Sequence, residues 1–215
     1  MNLKSITFPF LSNPLGKIMS VLLCLVFFGS VGLDQVSKQH AQNTLLKWES
    51  PDNIKKFRSS SYDVFHIGDE RKIDGFFSLR FNYQRNTGAA FSMLADWDDR
   101  YRIPFFYAVT VIAVIFISFY LKTLPLNYNL TRLGLVLMLS GAIGNFLDRV
   151  NIGYVIDFLD TEWRIFGWYV DFAVFNIADV AINLGIIFFI LEAITRKKPM
   201  EVKFDGSRVT TAKST

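Results

Sequence analysis

The chain of 215 residues has one cysteine, Cys24, and two histidines, His40 and His66. A lone cysteine cannot close an internal disulfide. Cys24 follows Leu23 rather than the small residue that an N-terminal lipidation box requires, so it reads as packing. Neither histidine neighbours a serine, a cysteine or an acid at metal-ligand spacing, which argues against zinc chemistry and against a Ser-His-Asp triad. Ser37 and Lys38 are adjacent, and side chains one residue apart on a helix diverge by about 100°, which argues against a Ser–Lys pair. No internal repeat is visible. The basic balance, with pI near 9.1, comes mostly from the C-terminal tail and suits anionic lipid, with nothing that calls for nucleic acid.

Apolar sequence is abundant. Hydrophobic residues make up 51% of the chain, with 22 phenylalanines, high for a surface facing water. Four runs account for it, at 18–33, 103–121, 133–147 and 174–191, the last interrupted only by Asp179. A bilayer core takes about 20 mainly apolar helical residues. The expected architecture is therefore an all-α membrane protein of one integral domain over 1–215. It is a four-helix bundle with transmembrane helices at about 16–36, 103–122, 132–150 and 173–194. The first run could also serve as a cleavable signal peptide, but no A-x-A-like site follows it.

Lys and Arg in short flanks set orientation. Lys4 and Lys17 precede the first run, Lys122 and Arg132 lie between the second and third, and Arg196, Lys197 and Lys198 open the tail. Both termini are expected to be cytoplasmic, with 195–215 the cytoplasmic tail and the stretch after Glu192 disordered. The 34–102 segment then lies outside, together with the loop 149–173. Within the outer segment, Phe77, Leu79, Phe81 and Tyr83 alternate with Ser78, Arg80, Asn82 and Gln84, the period of a half-buried strand. "RNTGAAF" supplies a turn around Gly88, and the polar block 47–72 reads as a loop or insertion. Trp97, Tyr101, Phe105, Phe106 and Tyr107, and later Trp163, Trp168, Tyr169 and Phe172, read as aromatic belts.

Polar residues inside the bilayer carry the functional signal. Asn176, Asp179 and Asn183 form one stripe on the fourth helix. On the third, Ser140, Gly144 and Asp148 recur every four residues, as do Gly141, Asn145 and Arg149. Helix packing glued by amides and one Asp148–Arg149 pair explains most of these. It leaves Asp157 and Asp179 near the outer interface without obvious partners, and Asp160 as a solvated surface charge. Membrane carboxylates are expensive unless paired or functional. Two brought close cannot both ionise, so one can accept a proton from water while the other donates to a carbonyl, as in aspartic proteases. The G-x-G-D signature of presenilin-type proteases is absent.

Five blocks in order, "DQVSK", "RNTGAAFS", "GNFLDR", "GYVIDF" and "FNIADVAI", resemble the lipoprotein signal peptidase (signal peptidase II) family of bacteria. The resemblance implies catalytic Asp157 and Asp179, with Asp34, Lys38, Asn86, Gly88, Asn145, Arg149 and Asn176 supporting them or binding substrate, and Asp148 structural. It implies an intramembrane aspartic endopeptidase that removes the signal peptide from diacylglyceryl-modified prolipoproteins, cutting just before the lipidated cysteine. The implied setting is the bacterial inner membrane, with the active site near the outer face beside a small β-sheet. Prolipoproteins and membrane lipid are the implied partners, the chain a monomer, with no metal or cofactor. Four features depart from the family: the long segment 34–86, the long tail after Glu192, "DFAVFN" without the usual proline before "FN", and Ser37 in "DQVSK" where threonine is common. From the residues alone, a proton-linked carrier and a non-catalytic assembly factor stay open as rivals.

Overall fold

A computed structural model describes residues 14–49, 56–59, 61–67, 77–88, 97–165, 168–196, 202–205 and 208–211. Among the described residues four helices are long and apolar enough to span a membrane: α1 (Pro14–Leu45), α2 (Asp99–Thr123), α3 (Asn129–Ile152) and α4 (Ile177–Thr195). The outward face of α1 is apolar, with Leu15, Ile18, Val21, Leu22, Leu25 and Phe28 all exposed. That is what a lipid solvent asks of a helix surface. Cys24 belongs to this exposed face, so it meets lipid rather than packing against protein as expected.

The central helix is α3, which packs against α1, α2 and α4. Glycines make the approach close. A methyl group at Gly134 would strike the backbone of α4 at Gly185 and Phe189, and one at Gly141 would strike Ala178. Small residues substitute here for the missing hydrophobic drive between helices in lipid.

The helix α1 runs 32 residues, roughly 48 Å at 1.5 Å per residue and longer than a bilayer core. It stays helical through Leu45 instead of ending near residue 36. Its last turns carry Ala41 and Leu45, which bury against Tyr83, Ile156 and Phe158. These residues anchor an antiparallel sheet of order β3-β4-β5-β6, formed by Ser61–Ile67, Phe77–Asn86, Val155–Ile165 and Trp168–Asp171. The strand expected at 77–84 is thus present. The block 47–72 is not simply a loop, because β1 (Leu46–Glu49) pairs with β2 (Lys56–Ser59) and β3 pairs with β4. Likewise the tail is not wholly irregular, since β7 (Val202–Asp205) pairs with β8 (Arg208–Thr211).

Gly153, at φ 81°, ends α3 in the left-handed conformation and turns the chain into β5. The register of β4 on β5 then slips. Phe81 faces Leu159 but Gln84 faces Asp157, so Asn82 and Tyr83 share Phe158. Such a bulge bends a strand and re-aims its side chains. Asp160 is buried rather than solvated, held by Asn82 Nδ2 at 3.3 Å and Arg80 Nε at 3.5 Å. Its charge is needed inside the sheet because Arg80 lies on the facing strand.

Candidate active site

Two neighbouring elements deliver the two carboxylates. Asp157 lies on β5 between Ile156 and Phe158, which point into the core, so alternation aims Asp157 the other way. Asp179 is in the first turn of α4, where its Oδ2 accepts from the Asn176 N–H at 3.1 Å. The Asn176 side chain returns the bond, its Oδ1 accepting from the Asp179 N–H at 3.0 Å. This reciprocal capping box satisfies two otherwise orphaned groups. It also locks the rotamer of Asp179.

Asn176 joins the two acids. Its Nδ2 donates to Asp157 Oδ1 at 2.6 Å and to Asn145 Oδ1 at 3.1 Å. Asn145 Nδ2 donates to Asp179 Oδ1 at 2.9 Å, and Asn86 Nδ2 to Asp157 Oδ2 at 2.9 Å. All four carboxylate oxygens therefore accept one N–H each. Asn176 is completely buried and Asp157 is 2% exposed. Burial, and next the charge of Asp179, push the Asp157 carboxyl up from its ordinary range to about 7, against the bonds from Asn86 and Asn176 that pull it down.

Behind this pair lies a buried ionic cluster. The Lys38 ammonium uses all three of its donors, on Asp34 Oδ2 (2.8 Å), Asp148 Oδ2 (3.0 Å) and Asn145 Oδ1 (2.9 Å). Asp34 Oδ1 also accepts from the Ala178 N–H at the start of α4, at 2.8 Å. Asp148 ties α1 to β5, meeting Lys38 on one and accepting from the Ile156 N–H at 3.1 Å on the other. It does not pair with Arg149, as the sequence had suggested, because adjacent residues on α3 point in different directions. Arg149 instead lies over the Phe106 ring at 4.4 Å and donates to Gly88 O at 2.7 Å and Asn145 O at 3.3 Å. Buried Gly88 in turn donates its N–H to Asn86 Oδ1 at 2.9 Å.

The residues that the family resemblance pointed to thus meet here: Asp34, Lys38, Asn86, Gly88, Asn145, Asp148, Arg149, Asp157, Asn176 and Asp179. Gln35 was missed. Its Nε2 reaches Asp34 Oδ2, Gly144 O and Asp148 Oδ1 within 3.1 Å, and its signal was an amide standing between Asp34 and Lys38. Tyr107 was read as belt, yet its hydroxyl donates to Arg149 O at 3.1 Å. Phe106 and Phe172 line the cavity instead of only facing lipid. The Tyr169 side chain and residues 89–96 lie outside the described residues. Asn183 donates to Asp179 O one turn back in its own helix, at 2.8 Å, and lines the same cavity as Asp179. Among the described residues no three His, Cys, Asp or Glu side chains gather as a metal-ligand set.

Asp157 and Asp179 open onto a cavity of about 770 Å³ that extends from Asn86 on the sheet to Thr110 on α2 and Ile187 on α4. It combines apolar walls with a few convergent polar groups, as ligand sites do. A family model described as signal peptidase (SPase) II matches residues 25–195, which hold the whole network. The chain belongs to the signal peptidase II family. Over 126 residues it is 43% identical to the lipoprotein signal peptidase of Geobacter sulfurreducens, covering 59% of this chain and 74% of the relative. Over 142 residues it is 38% identical to that of Staphylococcus aureus strain MRSA252, covering 64% and 80%. A solved bacterial membrane enzyme, determined in meso at 1.9 Å resolution, matches with a TM-score of 0.58 at 29% identity, over 82% of this chain and 94% of its own. As a signal peptidase II the chain is a hydrolase of peptide bonds in lipoprotein processing. Its four apolar helices fit a multi-pass protein of the bacterial inner membrane. The carrier reading gives way to a peptidase.

Proposed function

We propose that Asp157 and Asp179 form an aspartic dyad that hydrolyses the peptide bond just before the diacylglyceryl cysteine of a prolipoprotein. The observation that carries this is Asn176, one buried residue that hydrogen-bonds both carboxylates. The dyad shares one proton. The ionised carboxylate takes a proton from water as the hydroxide attacks the scissile carbonyl carbon, and the protonated carboxylic acid donates to the carbonyl oxygen. The tetrahedral diol then collapses: the C–N bond breaks, and a proton from the dyad goes to the leaving nitrogen. The two acids titrate as a coupled pair, so the roles belong to the pair. Asn145, Asn86 and Arg149 orient the acids, and Arg149, with Gly88, binds substrate backbone. The site lies at the outer face of the membrane, with both termini cytoplasmic, so the cut falls near the outer end of the substrate's own apolar helix.

The test is cleavage of a purified diacylglyceryl-modified prolipoprotein in detergent by the wild-type chain, Asp157→Asn and Asp179→Asn, with thermal unfolding of each. Both variants are expected to fold and to lose cleavage by at least about 10³-fold, the scale of losing a catalytic group. A folded variant that cuts at a comparable rate overturns the dyad.

A further inference from the structure

The run between β6 and α4 contains an irregularity beside the dyad. On β5 and β6, Glu162 pairs with Asp171 and Ile165 with Trp168, a register that would set Val174 opposite Leu159. Phe175 stands there instead. One residue too many has entered the run, so Ala173 and Val174 together face Asp160. This is a β-bulge, a device concentrated beside active sites because it turns main-chain groups out of the ladder.

The bulge is pinned at both ends. The Phe172 N–H donates to Thr161 O at 3.2 Å, and the Phe175 N–H donates to Leu159 O at 2.9 Å. Phe175 O accepts from the Phe158 and Leu159 N–H groups at 3.0 and 2.8 Å. Between the pins, Ala173 and Val174 make no main-chain hydrogen bond among the described residues. Ala173 is exposed and Val174 half-buried, and both line the cavity that holds Asp157 and Asp179. Two successive residues with unspent donors and acceptors, held between paired neighbours at the wall of a protease cavity, match what an extended peptide needs for strand addition.

We propose that the main-chain groups of Ala173 and Val174 form a docking edge on which the substrate polypeptide lies as an extended strand, bringing its scissile carbonyl to Asp157 and Asp179. The inference rests on the dyad reading for what happens next to that edge. Its ligand class is an unwound stretch of peptide, recognised by backbone and so tolerant of side chains. Cleavage then requires the apolar helix of the substrate to unravel near its outer end, because helical N–H and C=O groups are already paired.

The experiment uses the full-length enzyme in detergent and synthetic diacylglyceryl-cysteine peptides, each with one backbone amide N-methylated on either side of the scissile bond. A docked strand presents alternate residues to its neighbour, so kcat/KM is expected to fall about tenfold or more at every second position and little between them. Ala173→Pro and Val174→Pro each delete one donor. The variant whose N–H faces the substrate is expected to raise KM and to flatten that alternation while keeping its thermal unfolding. A scan without alternation overturns the proposal, as does an alternation unchanged in both folded proline variants. Should neither proline variant fold, the wild-type scan decides alone. Asp157→Asn and Asp179→Asn tested on the unmethylated peptide separate the two readings: cleavage by either one sinks the dyad, while the scan judges the docking edge.

Discussion

The Lys38 ammonium donates to the Asn145 side-chain oxygen at 2.9 Å, across 107 residues of sequence. This bond sets which way round the Asn145 amide lies. With its oxygen committed to Lys38 and to Asn176 Nδ2, Asn145 must turn its NH₂ toward Asp179. Lys38 touches neither Asp157 nor Asp179, yet it determines that Asp179 meets a donor rather than an acceptor. We propose that it is a positioning residue.

Replacing Lys38 with Met keeps the length of the side chain and removes all three donors. Asp34 and Asp148, 1% and 5% exposed, then lose their cation inside the bundle. Breaking a buried ion pair by deleting one partner costs about 3–5 kcal/mol. The expected result is a large drop in the thermal unfolding midpoint, with kcat reduced more than KM is raised, because Asn145 becomes free to flip. A Lys38→Met chain that melts and cuts like wild type would show that the ammonium orders nothing.

The pH profile follows from Asp157. Burial raises its carboxyl from 3.8 to about 7, so between those values the folded chain keeps a proton that the unfolded chain has released. Stability is therefore expected to fall as pH climbs through that window and to level off above it. Cleavage that needs the shared proton declines as pH rises past about 7. Asn86 pulls the Asp157 carboxyl down through its 2.9 Å bond, so Asn86→Ala should move the alkaline limb of kcat/KM to higher pH. A limb that stays put, or moves down, would refute that role for Asn86.

The helices and most site residues were legible because bilayer burial leaves a loud signal: long apolar runs, broken only where a polar group is needed. Asp179, with Asn176 at the cap before it and Asn183 one turn on, stood out against the apolar run of α4 for that reason. Partnerships were much less legible. Asp148 and Arg149 are adjacent in sequence and opposite in charge, yet Lys38 from α1 takes Asp148 and leaves Arg149 to the carbonyl of Gly88. Nothing local announces a contact between residues more than a hundred positions apart. The strand at β5 was hidden in the same way. Its alternation in "VIDFLD" is blurred by a core face of Ile156 and Phe158 and by carboxylates that are themselves buried. Asp160 looked solvated because its cation, Arg80, arrives from another strand.

Arg149→Lys keeps the charge and loses the fork. A guanidinium can lie on the Phe106 ring while donating separately to Gly88 O and Asn145 O. An ammonium is a compact point charge and cannot hold all three at once. The variant is expected to fold like wild type and to lose about tenfold in kcat/KM through a raised KM, because the outer turn at Gly88 is no longer pinned above the dyad. Unchanged kinetics would mean that only the positive charge matters.

Helix spacing gives a paired test. A methyl group added at Gly141 would collide with the carbonyl of Ala178 and come within 2.7 Å of Ile182 Cγ1, whereas one added at Gly29, on the lipid-facing side of α1, meets nothing within 4 Å. The first collision is with backbone, which cannot swing aside like the tip of a side chain. Gly141→Ala should therefore lower stability by about 1–3 kcal/mol, the usual cost of overpacking, and Gly29→Ala should be neutral or slightly stabilising. Activity should follow the same order, because Ala178 immediately precedes Asp179 and a shift of α4 by a few tenths of an ångström moves that carboxylate against Asn145. Equal melting points and equal rates for the two variants would show that α3 and α4 have room to separate, and that close packing of these helices does not set the geometry of the dyad.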